Sequence, residues 1–220
     1  TNIPKMGKVA GFRGGGSVGG EYKSNIKGLA GGVAGSPQLY GRDPKKRKIF
    51  LHWSGSVGHN STFGPYHQLF NGSGKPRQTN VNYGVDNNEG TAGGNTNSVA
   101  LAAAAMGHVG QENGYNDRKG WAETPLLSAQ TNAMAREAAA LLVAYGQTTS
   151  DVDKNVFTHG EWERYAVKTG RLPAPVQRWD LDSLTPPGPN GYGHPGGFFS
   201  TQQVNSKGGD QMRAKIKAFM

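Results

Sequence analysis

The segment KKRKIFLHWSGS, residues 45–56, decides how this chain is read, because a buried-strand pattern in it closes on a histidine. Residues 48–53, KIFLHW, are an aliphatic and aromatic run entered from a basic turn, which reads as a core strand. A strand that ends on His52 presents an imidazole where a cleft opens. NVFTHGEWER, residues 155–164, repeats the device and closes a second short strand on His159. Neutral imidazole is the commonest protein ligand for zinc, and a catalytic zinc keeps three protein ligands and an open position. VQRWDLDSL, residues 176–184, offers Asp180 as the third ligand, with Asp182 a nearby competitor. If the three side chains meet, the chain has the makings of a zinc hydrolase.

Working outward, PYHQLF (65–70), NGSG (71–74) and KPRQTNV (75–81) read as strand, turn and strand, with Asn-Gly and Ser-Gly as turn signals. His67 alternates with Tyr66, so one of the two faces the core and the other the cleft or solvent. NYGVDNNEGTAGGNTN (82–97) is a polar loop, NSVALAAAAMG (97–107) a further core strand, and QENGYNDRKGWAE (111–123) again loop. A helix follows from Ser128, the expected N-cap, to Tyr145, with Gly146 as its stop. Met134, Ala138, Leu141, Leu142 and Tyr145 form one continuous apolar stripe on it, which is core packing rather than a cofactor box. The order strand, hairpin, strand, helix, strand gives an α/β fold, a mixed central sheet flanked by helices. Near the C-terminus, Gly208–Met220 reads as a short amphipathic helix, with Met212, Ile216 and Phe219 inside and Arg213, Lys215 and Lys217 outside, expected to dock on protein.

Composition divides the chain. Of 220 residues, 35 are glycine, and the hydrophobic share is 35%. GFRGGGSVGGEY (11–22), GLAGGVAGSP (28–37) and TPPGPNGYGHPGG (185–197) bury little apolar area against the ordering entropy of glycine. The expected organisation is a Gly-rich tether or docking segment at 1–44, a globular domain at 45–184, and a Pro/Gly-rich tail with a basic helix at 185–220. Without cysteine there is no disulfide framework and no thiolate zinc site. No apolar run is long enough to span a membrane. The formal charge of +9 favours an anionic partner, although a basic run such as 45–48 is ordinarily a solvated surface. No helix-turn-helix, zinc-finger or aromatic RNA-binding pattern is present, which argues against nucleic acid. His59, His108 and His194 lie in Gly-rich or polar loops and read as solvent-exposed.

Taken together, these elements resemble the zinc-dependent N-acetylmuramoyl-L-alanine amidase family, which includes amidase-type phage lysozymes and peptidoglycan recognition proteins. The resemblance rests on FLHWS (50–54), YHQLFNGSGKPRQ (66–78), NTNSVALA (95–102), SAQTNAMAREAAALLVAYG (128–146), FTHGEWER (157–164) and QRWDLDSL (177–184). It spans about residues 46–184 and neither Gly-rich end; order and spacing carry it, not any single motif.

The resemblance implies a zinc ion held by His52, His159 and Asp180, where many relatives use cysteine as the third ligand. Asp180 is preferred to Asp182 because it directly follows a tryptophan, as in tail and endolysin relatives. Tyr66 matches the family's active-site tyrosine, and Arg178 stands where the family often carries lysine. Read as extended chain, His159 with Glu161 and Arg178 with Asp180 share a face, so Glu161 is expected to orient a ligand or accept a proton. The implied substrate is bacterial peptidoglycan, cut between N-acetylmuramic acid and L-alanine. Residues 1–44 and the C-terminal tail would then contact phage tail or baseplate proteins, placing the enzyme on the virion or in the host periplasm. The rivals are a lysis-stage endolysin held in the host cytoplasm, and a non-catalytic muropeptide-binding or structural tail component.

Overall fold

The structure, a computed structural model, describes residues 43–61, 64–77, 91–107, 117–174, 176, 178, 180–186 and 203–220. All but the last two residues of the expected N-terminal tether lie outside this set, as do most of the 185–197 stretch, His108 and His194.

Among the described residues, five strands form one mixed sheet: β1 (Lys48–Trp53), β2 (Gln68–Phe70), β3 (Pro76–Arg77), β4 (Ser98–Ala103) and β5 (Val156–Thr158). Their order is β3-β2-β4-β1-β5. β1 runs parallel to both β4 and β5, β4 is parallel to β2, and only β3 is antiparallel, paired to β2 through the expected hairpin. Parallel strands are covered on both faces, and β1 and β4 accordingly read as unbroken apolar runs rather than alternating ones. Ile49, Leu51 and Trp53 point into the larger core beside Val99, Leu101 and Ala103. Phe50 points the other way, against Trp162 and Ala166.

The helices are α1 (Asp117–Glu123), α2 (Ser128–Ala144), the single turn α3 (Val152–Asn155), α4 (His159–Lys168) and α5 (Lys207–Phe219). On α2 the expected stripe is buried: Met134, Ala138, Leu141, Leu142 and Tyr145 all lie in the larger core. Each large apolar side chain there contributes about 1.5–3 kcal/mol. Gly146 ends the helix with φ +71°, a conformation that glycine adopts without strain. α5 packs on α2, with Met212 and Ile216 fully buried in the same core, so its docking on protein is as expected.

Several local expectations are corrected. The N-cap of α2 is Leu127, and Ser128 is already helical; the Leu127 N–H donates 3.0 Å to Gln130 Oε1, so the N3 side chain reaches back to the cap instead of a serine hydroxyl capping forward. The Gln130 amide also donates to the carbonyls of Phe70 and Ala104, at 3.1 and 2.9 Å, tying α2 to two strand ends. Residues 117–123, expected as loop, are helical. His159 does not sit in extended chain: it is the first residue of α4. Arg47 and Arg213, expected on solvated surfaces, are buried. The Arg47 guanidinium lies 4.7 Å from the Tyr145 ring centroid, and its Nε donates to Asn97 Oδ1 at 3.1 Å.

Candidate metal centre

The strand register brings the two histidines together. Leu51 of β1 pairs with Thr158 of β5, so the next residues, His52 and His159, emerge side by side at the carboxyl edge of the sheet. That edge is where open α/β sheets place their ligands. The imidazole centroids lie 4.6 Å apart, edge to face. Asp180 arrives from the segment after α4, and its Oδ2 lies 3.2 Å from His159 Nδ1 and 3.5 Å from His52 Nδ1. The ligand atoms of the three residues all fall within 4.8 Å of one another. Their side chains are 1%, 12% and 13% exposed for His52, His159 and Asp180, so the centre is shielded yet reachable. Among the described residues this is the group of His, Asp and Glu side chains that can hold a metal ion.

His52 is oriented from behind. Its Nε2 lies 3.1 Å from the hydroxyl of buried Thr91, which leaves Nδ1 for the centre. Thr91 is set in turn by its own N–H, which donates to Asn95 Oδ1 at 2.8 Å. Trp162 Nε1 donates to the Ala92 carbonyl at 3.0 Å, and Gly94 lies so close to Trp162 and Phe50 that a Cβ would fall 2.7 Å from the indole nitrogen. Thr91 had no signal of its own in the polar loop from 82 to 97; its place comes from tertiary contacts.

Burial pushes the His52 imidazole down to about 4, against the opposing hydrogen bond to the Asp180 carboxylate and with help from the charges of His159 and Arg178. His52 is therefore neutral at pH 7, the form that binds metal. Burial alone would raise the Asp180 carboxyl; the two histidines outweigh it and hold the group well below the usual carboxylate range. The centre thus offers two imidazoles and one carboxylate, with His52 and Asp180 already in their coordinating states.

Tyr66 packs on His52 with ring centroids 5.1 Å apart. Burial, reinforced by the Asp180 carboxylate, pushes its phenol upward, so it remains protonated. His67 takes the other side: it is buried, and its Nδ1 accepts from the Ala100 N–H at 3.1 Å. Arg178 is exposed at the rim, its backbone N–H donating to the Glu163 carboxylate, and its charge reaches both His52 and Tyr66. His59, expected in solvent, is half-buried with Nε2 2.8 Å from the Pro125 carbonyl.

Two carboxylates lie beneath the centre rather than in it. Asp182 is held by both terminal nitrogens of Arg164, each at 2.6 Å, which removes it as a competitor to Asp180. Glu161 is fully buried and accepts from the N–H of Thr158 (3.0 Å), the N–H and hydroxyl of Ser206 (2.6 and 3.1 Å), and Arg213 Nη1 and Nη2 (2.7 and 2.9 Å). Those donors occupy both of its oxygens, so the expected role as proton acceptor is corrected to that of a helix cap and ion-pair partner. The cause is local: Thr158 is the N-cap of α4 and Glu161 its third residue, a capping box. Thr-His-Gly-Glu at 158–161 carried that signal in the sequence.

Compared with known proteins, the chain matches no family model, no curated protein and no solved structure.

Proposed function

We propose that this chain is a zinc-dependent amide hydrolase acting on bacterial peptidoglycan, cleaving between N-acetylmuramic acid and the L-alanine of the stem peptide. The observation that carries the reading is the convergence of His52, His159 and Asp180 at the sheet edge. Two imidazoles and one carboxylate suit zinc, whereas calcium and magnesium favour oxygen ligands throughout. Three protein donors leave a coordination position open, the arrangement of a catalytic zinc rather than a structural one. The choice of substrate rests on the order of sequence elements shared with the amidases, and on a tyrosine packed against the first histidine.

A zinc ion held by these three residues supplies Lewis acidity, which activates water at neutral pH and polarises the scissile carbonyl. The protein's own groups do the rest. His52 and Asp180 arrive in their coordinating protonation states, and Thr91 fixes the His52 ring. Tyr66, kept protonated, donates a hydrogen bond to the carbonyl oxygen as negative charge develops there. Arg178 is a permanent cation that stabilises the same charge and draws the stem-peptide carboxylates to the rim; it gives up no proton. In this reading the enzyme is carried by a phage particle, with residues 1–44 contacting the tail or baseplate. Among the described residues no helix is long and apolar enough to cross a membrane.

The test is metal analysis of the wild type beside His52→Ala and His159→Ala, each assayed on purified murein. One zinc per chain and release of L-alanine-terminated peptides are expected from the wild type only. Wall binding without loss of turbidity would replace the enzyme by a muropeptide-binding module. Detection in purified particles would separate the virion role from that of a lysis-stage endolysin.

A further inference from the structure

Two of the three candidate ligands are each neighboured by a residue that the C-terminal helix grips. Thr158, directly before His159, donates its N–H to Glu161. The Glu161 carboxylate is in turn clasped by Ser206 and by Arg213, whose second arm reaches Asp210 at 2.6 Å. On the other ligand, Asp180 is followed by Leu181, a non-glycine residue at φ +60°, and then by Asp182. The Asp182 carbonyl accepts from the Gly208 N–H at 2.9 Å, while its carboxylate is held by Arg164 of α4. The approach is too close for side chains. A Cβ on Gly208 would fall 2.0 Å from the Leu181 carbonyl oxygen, and one on Gly209 would fall 2.0 Å from Glu161 Oε1.

We infer that α5 is a clamp for the metal centre, in which Ser206, Gly208, Gly209 and Arg213 are positioning residues that fix His159 through Glu161 and Asp180 through Asp182. The inference rests on the metal reading of the centre but assigns it a further part. The ligands are held by a buried charged frame supplied by a segment that contributes no ligand itself. Because His159 opens α4, a shift in the cap at Thr158–Glu161 moves its imidazole directly. Because Leu181 is held in a conformation unfavourable to a branched side chain, the Asp180–Asp182 turn needs an external hold to persist.

The experiment uses full-length protein loaded with Co2+, whose visible absorption reports donor number and geometry. Co2+ affinity is measured by competition with a chelator at a temperature where circular dichroism shows each variant folded. Arg213→Met, and the milder Ser206→Ala should the first not fold, are expected to weaken Co2+ binding about tenfold to a hundredfold and to alter the spectrum. Arg213→Lys, which keeps the charge but not the paired donors, should fall between. Met212→Ala is the control: it truncates a core side chain on the same helix without touching Glu161 or Asp182, and should lower the melting temperature while leaving affinity and spectrum near wild type. Unchanged binding in folded Arg213→Met or Ser206→Ala, or an equal loss in Met212→Ala, would overturn the clamp. A wild type that takes up no Co2+ would instead remove the metal reading, and the clamp with it.

Discussion

Replacing Asp182 by asparagine is expected to cost about 3–5 kcal/mol of folding stability. The Arg164 and Asp182 side chains are 2% and 3% exposed, and both guanidinium contacts are 2.6 Å long. Water screens neither partner, so the small value typical of surface ion pairs does not apply. Asparagine keeps the shape and one acceptor oxygen but removes the counter-charge and the second oxygen, and the Arg164 guanidinium then stays buried without its ionic partner. Urea unfolding followed by tryptophan fluorescence reads the cost directly. With a slope of about 2–3 kcal/mol per molar urea, the midpoint should fall by roughly 1–2.5 M. The double variant Arg164→Met/Asp182→Leu removes both charges and should recover most of the loss, because buried pairs exchange well for apolar ones of similar volume. A midpoint for Asp182→Asn within roughly 0.3 M of wild type would refute the reasoning, since linear extrapolation resolves a change of that size.

Other expectations follow from the same geometry. In the metal-free chain His52 titrates near 4 when folded and at 6.5 when unfolded. The unfolded state therefore binds more protons between those values, and stability is full above pH 6.5 and falls as pH drops through 4, by about 3 kcal/mol in total. His52→Gln should flatten that part of a pH-dependent urea series, and an unchanged slope would count against a buried neutral imidazole. Gln130→Leu removes the acceptor of the Leu127 N–H and a donor to each of the Phe70 and Ala104 carbonyls, and should cost about 1–3 kcal/mol, read as a lower melting temperature. Zinc at a hundred times its dissociation constant should stabilise the wild type by about 2.7 kcal/mol in calorimetry and leave His159→Ala unmoved. Tyr66→Phe should retain metal and lose about a hundredfold to a thousandfold in murein hydrolysis; equal rates would remove Tyr66 from the chemistry.

The parts of the fold legible in the sequence were those with a strong local period. Residues 48–53 and the α2 stripe follow from apolar spacing alone, and a strand does precede each histidine's cleft, although the second stops at Thr158 and His159 opens the next helix. Asp180 was preferred to Asp182 on sequence grounds, and the Arg164 pair now supplies the physical reason. α1 escaped because DRKGWAE is short and polar and carries no apolar stripe. The extended reading of His159–Glu161 failed against a capping box that the sequence did display. Thr91 and the buried arginines 47, 164 and 213 had no local signal, because a charge goes inside only where a distant partner or an aromatic face meets it.

The wide separation of the ligands along the chain bears on synthesis. A ribosome releases His52 long before His159 and Asp180, and the helix that seats Met212 and Ile216 emerges after all three. Domains fold as units once their segments are available. Until that helix has emerged, the nascent chain lacks both a wall of its core and the Ser206, Gly208 and Arg213 partners of Glu161 and Asp182.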